Sequence, residues 1–306
     1  MTSEALAAPA RAHPGALYRV LRALASVGIF AKDESGFFRT TPIAELLRTD
    51  SPESLRAFVI MLGEPESWVA WGDVLHSVRT GKPAFEHAFG VPLFRYMAEH
   101  HDAAQIFDEA MTRRSATENA AVVAAYDLAE ASTVVDVAGG QGSLLLEILV
   151  AFPHLCGVLF DVPHVVDGAR RLLRGTDIGS RCRLHAGDFF VDALPAYADV
   201  YVLKKVIHDW NDQRAREILQ ACRRAMSGNA RLLLIEPVVP RGNEPSIAKL
   251  LDLFMMVWPG GRERTEAEHQ ALLASAGLDM CRTIPTASAL SIIEARPTPD
   301  SGLERR

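Results

Sequence analysis

The run Val134-Val135-Asp136-Val137-Ala138-Gly139-Gly140-Gln141-Gly142-Ser143-Leu144 constrains this chain more than any other segment. Valines lead into one acid, a glycine-rich turn follows, and an apolar helical run continues to Leu149. Strand, tight loop and helix N-terminus, in that order, are how an open α/β sheet grips a nucleotide-like ligand. Glycine takes positive φ without steric cost and lets a ligand come close to the backbone. A dinucleotide fingerprint needs the spacing G-x-G-x-x-G, but after Gly140 and Gly142 its third position is Leu145.

From Thr133 onward the pattern alternates between strand and helix. Strands are predicted at 133–137, 156–161, 182–187, 199–206, 230–236, 279–285 and 289–295, with helices between them. The periodic run Asp212 to Met226 is one helix, stopped at Gly228. Thr265-Glu266-Ala267-Glu268 is a capping box that opens another, ended by Gly277. Such alternation implies a mostly parallel sheet covered on both faces, with ligands at the carboxyl ends of its strands.

The first part of the chain reads differently. Leu17, Val20, Leu21, Leu24 and Val27 recur at helical spacing after His13-Pro14-Gly15, and Gly28 closes the run. A hairpin with Gly36 at its turn is expected over Phe30–Thr40, so this unit resembles a winged helix. Arg19, Arg22, Lys32 and Arg39 are nearly cancelled by Asp33, Glu34, Glu45, Asp50 and Glu53. A nucleic-acid reader usually shows a basic excess, so a dimerisation or packing module is the better reading. Residues 64–128 are predicted helical, broken near Gly81-Lys82-Pro83 and Gly90-Val91-Pro92. Phe107 and Met111, at i and i+4, share one helix face, as pocket lining or simple core. The expected division is 1–125, 126–298 and a polar tail, 299–306.

Composition narrows the functional classes. The net charge of −6 over 306 residues gives no electrostatic case for nucleic acid or an anionic membrane. The 4 cysteines are scattered without a C-x-x-C pair, which suits a reducing, cytoplasmic setting rather than a disulfide framework or zinc site. No apolar run approaches the roughly 18 residues of a spanning helix, and Met1 to Ala12 lacks a signal-type apolar core. The histidines show no ligand spacing, so no metal is expected.

The carboxyl ends of the predicted strands carry the candidate chemistry. An acid before the loop and no third glycine fit S-adenosylmethionine (SAM) better than NAD. Asp161 lies about 20 residues past the loop, placed to accept from ribose hydroxyls, or else is a turn acid before Pro163. Asp188 and Phe189 are placed to meet an adenine, or are a turn acid and core aromatic. The fourth end is Leu203-Lys204-Lys205-Val206-Ile207-His208-Asp209-Trp210; the fifth is Glu236, costly in an apolar run unless bonded or paired. Asp209 reads as a cap or turn acid and Trp210 as packing. Phe254, Met255 and Trp258, on an apolar helix, suit a flat aromatic acceptor and equally suit core packing.

Taken in order, Asp136-Val-Ala-Gly-Gly-Gln-Gly142, Phe160-Asp-Val-Pro-His164, Gly187-Asp-Phe-Phe190, Leu203 to Trp210 and Gly260-Gly-Arg-Glu-Arg-Thr265 resemble the plant-type SAM-dependent O-methyltransferases. The bacterial members that tailor aromatic natural products are the most similar branch. The resemblance runs from about His13 to Arg296. It implies a Rossmann-like α/β class I methyltransferase domain behind a winged-helix-like dimerisation module, acting on a phenolic hydroxyl. It further implies that Gly139, Gly140 and Gly142 cradle the methionine part of SAM, Asp161 the ribose, and Asp188 with Phe189 the adenine. Lys204 would contact the cofactor near the adenosine, while Lys205 is read as surface charge. His208 matches the general base, flanked by Glu236 and Glu263. Drifted chemistry (hydroxylation or decarboxylation) and a SAM-sensing regulator are the alternatives. Two departures stand out. Ala138 replaces a common glycine: its methyl either crowds the cofactor or is tolerated if its φ is negative. Few residues precede His13, from which a weaker dimer and a more open pocket are expected.

Overall fold

The computed structural model describes residues 1–51 and 54–299; the expected tail beyond Pro299 lies outside the described residues. The chain packs as two compact units, Met1–Glu64 with Asp102–Arg114, and Pro65–His101 with the remainder from Ser115. This division by packing is not a single cut at 125/126. Helices drawn from residues 65–101 pack with the sheet-bearing part, and the helix His101–Ala125 contributes residues to both units.

In the first unit, His13 caps helix Pro14–Ser26 through Nδ1, and proline occupies its first turn. Gly28, at φ 80°, ends it. A hairpin follows, Phe30–Lys32 against Phe38–Thr40, turning through Gly36 at φ 85°.

The second unit is built on a seven-stranded sheet. Its strands are β1 (Thr133–Val137), β2 (Cys156–Asp161), β3 (Cys182–Ala186), β4 (Val200–Lys204), β5 (Arg231–Glu236), β6 (Leu278–Pro285) and β7 (Ser291–Pro297). The spatial order is β6-β7-β5-β4-β1-β2-β3. β1 to β5 run parallel to one another, and β7 lies antiparallel to both neighbours. The chain leaves β1 toward β2 and β3, then returns to lay β4 on the other side of β1. That reversal opens a crevice at the carboxyl ends of β1 and β4. Alternation sorts the β1 side chains between two cores: Val135 and Val137 join one, Val134 the other. Each core is completed by helices, which is why these strands read as apolar runs.

Candidate active site

The acid of the glycine loop is buried. Asp136 is 1% exposed and its Oδ2 has no hydrogen-bond partner among the described residues. Burial, helped by the Asp161 charge and opposed by Lys204, pushes its pKa up to about 7. Gly139 is irreplaceable on space alone: a Cβ there would meet Asp136 Cγ and Oδ2 at 2.4 Å and Leu159 Cδ1 at 2.6 Å. Gly140 (φ 62°) and Gly142 (φ 83°) need glycine's conformational freedom. The condition of a negative φ at Ala138 is not met: its φ is 55°, so an alanine sits in the left-handed region. Its methyl packs against one face of the sheet core.

Asp161 ties the loop to β2. Its Oδ2 accepts from Gly140 N–H at 2.8 Å and its Oδ1 from Val162 N–H at 2.7 Å. Each oxygen keeps a further lone pair for a ligand hydroxyl. Asp188 forms a turn, its Oδ1 accepting from Phe190 N–H at 2.8 Å and its own N–H donating to Asp192 at 2.9 Å. Phe189 is half-buried, edge-on to Phe190 at 4.7 Å and to Trp210 at 6.2 Å. A nucleoside sulfonium fits this crevice. The unpartnered buried oxygen of Asp136 and the free lone pairs of Asp161 lie at the carboxyl ends of β1 and β2. Beside them the Gly140 backbone is open, since a Cβ added there would meet nothing within 4 Å.

Lys204 is more constrained than expected. Its Nζ donates to Asn119 Oδ1 at 2.6 Å and Ser115 O at 3.4 Å, and lies 3.2 Å from Glu118 Oε2. Any contact with cofactor must share the ammonium with these acceptors. Burial, partly offset by Glu118, pulls its pKa down to about 8. Lys205 is not surface charge. Its side chain is 14% exposed, its φ is 55°, and its Nζ meets the same Glu118 oxygen at 3.2 Å. Glu118 and Asn119 were not singled out in the sequence: they lie more than eighty residues upstream on a helix with no motif.

His208 sits on the short helical turn Ile207–Asp209 that follows β4. Its Nδ1 is 2.9 Å from Glu263 Oε1 and 3.6 Å from Glu236 Oε2, while Nε2 approaches Asp209 Oδ1 at 3.6 Å. All three predicted catalytic residues are therefore together and buried. Glu236 Oε1 accepts from the N–H groups of Val206 and Ile207 at 3.1 and 2.9 Å, fixing the backbone that carries His208. Burial disfavours the imidazolium, but Glu236, Asp209 and Glu263 outweigh it and raise the His208 pKa to about 9. Burial raises Glu236 to about 7, with His208 opposing. Asp209 does not cap the helix Asp212–Ala225; Asn211 does.

Residues the sequence reading passed over hold this cluster in place. Asp252 Oδ1 accepts from Glu263 N–H at 2.9 Å. Arg264, 1% exposed, donates to Asp212 Oδ1 through Nε and Nη2 at 3.0 and 2.8 Å, to Ile207 O at 3.2 Å and to Trp210 O at 3.0 Å. It clamps both ends of the His208 turn. Gly261 lies against that turn so closely that a Cβ would stand 1.9 Å from His208 O.

Of the predicted pocket lining, Met255 and Trp258 are buried and Phe254 stacks on Trp258 at 4.7 Å. Phe85 adds a ring at 5.6 Å from Trp258. The Trp258 Nε1 donor is buried without a partner among the described residues. Phe107 and Met111 belong to the other compact unit, where both are half-buried.

Comparison with known proteins matches residues 71–279 to an O-methyltransferase domain. The phenazine O-methyltransferase PhzM of Lysobacter antibioticus is 48% identical over 294 residues, covering 96% of this chain and 86% of that protein. The crystal structure of CalO1, a methyltransferase of calicheamicin biosynthesis with S-adenosylhomocysteine bound, superposes with a TM-score of 0.88 at 36% identity, covering 97% of this chain and 88% of that one. NcsB1, an O-methyltransferase from neocarzinostatin biosynthesis solved with SAM and 2-hydroxy-5-methyl naphthoic acid, gives a TM-score of 0.80 at 33% identity, covering 97% and 89%.

Proposed function

The chain belongs to the O-methyltransferase domain family and is a SAM-dependent O-methyltransferase; from that premise we propose that it methylates a phenolic hydroxyl on a flat aromatic natural product, with His208 as general base. The observation that carries this reading is the buried contact of His208 Nδ1 with Glu263 Oε1 at 2.9 Å. A phenol with pKa of roughly 10 is almost wholly protonated at neutral pH, so the enzyme must take its proton as the oxygen attacks. Nδ1–H donated to Glu263 fixes the tautomer and leaves Nε2 as the accepting atom. Glu236 stabilises the imidazolium so formed. Bound SAM supplies a methyl group on an excellent leaving group, and what the protein adds is a proton acceptor and alignment. Gly139, Gly140, Gly142, Asp161, Asp188 and Phe189 would hold the cofactor, with Lys204 bracing the crevice from the Asn119 side. Phe254, Met255 and Trp258 present an apolar, polarisable wall suited to fused rings.

The raised pKa of His208 sets a pH requirement. The neutral imidazole is the active form, so kcat/KM rises with pH toward the alkaline range. His208→Gln is expected to lower kcat by about 10²–10⁴-fold while SAM affinity stays within a factor of about two. Glu263→Gln removes a charge that raises the imidazole pKa, so the rising limb of the pH profile moves to lower pH. An acceptor screen with hydroxylated fused-ring aromatics supplies the assay. Full activity in His208→Gln, or no shift in Glu263→Gln, would overturn the base assignment.

Self-association belongs to the same reading. The first unit exposes Val20, Val27, Ile43 and Val59 at 50–67%, an apolar load that a second copy would cover. Sedimentation at micromolar concentration should give a dimer; a monomer would refute it. The free thiols fit a cytoplasmic location. No helix among the described residues is long and apolar enough to cross a membrane.

A further inference from the structure

Residues 65–101 carry a second group of ligand-type side chains that shares nothing with the His208 cluster. Asp73 stands at the N-cap of helix Val74–Thr80 and His76 lies in its first turn. Gly81, at φ 69°, ends that helix, Pro83 precedes the next one, Ala84–Phe89, and His87 lies within it. The spacing of three places Asp73 and His76 on one side of a helical turn. A buried bond from Ala84 N–H to Ser77 Oγ at 2.9 Å pins the second helix against the first and delivers His87 to the same spot.

The three side chains converge. His87 Nδ1 is 2.6 Å from Asp73 Oδ2, and the His76 and His87 rings stack at 3.9 Å and 10°. One ligand atom from each of the three lies within 4.8 Å of the other two. The His76 ring has no hydrogen-bond partner among the described residues, so the hydrogen bond between Asp73 and His87 does not account for its position. Two imidazoles and a carboxylate form a donor set that zinc takes in sites completed by water. A tetrahedral ion needs donor atoms about 3.3 Å apart. Half-exposed side chains reach that spacing by modest rotation, at the cost of one solvent-exposed hydrogen bond.

The geometry points to a surface site for a borderline divalent cation, Zn²⁺ or a neighbour in the Irving–Williams series, held by Asp73, His76 and His87 and completed by water. The ion closes the helix pair on itself. That pair carries Pro83, whose Cγ would stand 2.6 Å from a Cβ on Gly260, and Phe85, which faces Trp258. Cation binding therefore braces the aromatic wall assigned above to the acceptor. The site itself rests only on the three ligands and not on that assignment.

The test uses untagged full-length protein, stripped with a chelator and titrated with Zn²⁺ by calorimetry, with Co²⁺ as a spectroscopic probe. His76→Gln and His87→Gln leave the His208 cluster intact, and Asp73→Asn serves if either fails to fold. The expected result is about one Zn²⁺ bound to the wild type, with affinity falling at least about tenfold in each variant. A Co²⁺ visible band of tetrahedral intensity and a Zn²⁺-induced rise in Tm should vanish with it. No Zn²⁺ binding by the wild type overturns the proposal. So does unchanged affinity in both histidine variants, which would put the ion elsewhere, the buried His208, Glu236 and Glu263 group being the other candidate.

Discussion

Ala138 holds a φ of 55° in the loop between β1 and the first glycine. The left-handed region costs an L-residue roughly 1–2 kcal/mol because Cβ crowds the neighbouring carbonyl. The chain accepts that cost where Ala138 N–H donates to Phe160 O at 2.7 Å, a bond that closes the loop onto β2. Ala138→Gly relieves the strain but frees the unfolded chain and removes a methyl from the core, so the terms partly cancel. The expected net gain is up to about 1 kcal/mol, read as a rise in Tm of about 1–3 °C. A fall in Tm would mean that the methyl contacts outweigh the strain. Sequence showed the glycines as a loop but not this residue's backbone, because alanine carries no sign of the conformation its neighbours impose on it.

The turn Ile207–Asp209 is an element too short to hold itself, and Arg264 supplies what it lacks. Its guanidinium binds Asp212 through two nitrogens and the carbonyls of Ile207 and Trp210, so one planar group fixes both flanks of His208. Lysine keeps the charge but loses the fork. Arg264→Lys is expected to lower kcat at least about tenfold, a loss of about 1.4 kcal/mol in transition-state stabilisation, with little change in KM or SAM affinity. Loss of SAM binding in parallel would mark Arg264 as a general structural residue instead. His208 and Glu263 were singled out only by their match to the family's motifs, whereas the strands, the capping box of Thr265 and Glu268, and Glu236 were legible because each has a local pattern: apolar runs, a fixed spacing, or an acid where apolar residues belong. Arg264, Asp252, Glu118 and Asn119 were not, because their partners are set by how distant segments dock. Nothing in the sequence near Lys205 separates a buried ion pair from a solvated charge.

For the molecule as a whole, the buried ionisable groups make stability a function of pH. Asp136 and Glu236 are each raised to about 7 and His208 to about 9. In all three the folded state holds its proton more tightly than the unfolded chain. Their contribution is thus complete below the unfolded values and is lost as pH rises through the folded ones. His269 runs the other way. It is 2% exposed, neither ring nitrogen has a partner among the described residues, and burial pulls its pKa down to about 4. Its contribution is present above the unfolded value and lost as pH falls through the folded one. Lys204, lowered to about 8, acts in the same sense but only at higher pH. Between roughly pH 6.5 and 8, therefore, the falling terms dominate, and Tm should decline with rising pH. The His208 share approaches about 1.4 kcal/mol per pH unit. His208→Gln should flatten the slope above about pH 8, where Asp136 and Glu236 are mostly deprotonated. His269→Phe should leave that slope alone and raise Tm at about pH 5, since it replaces an unpaired buried polar ring by an apolar one of similar shape. A wild-type Tm that rises over the same range, roughly pH 6.5 to 8, would show that the carboxylates around His208 do not hold its proton, and the proton-acceptor chemistry built on that cluster would lose its electrostatic basis.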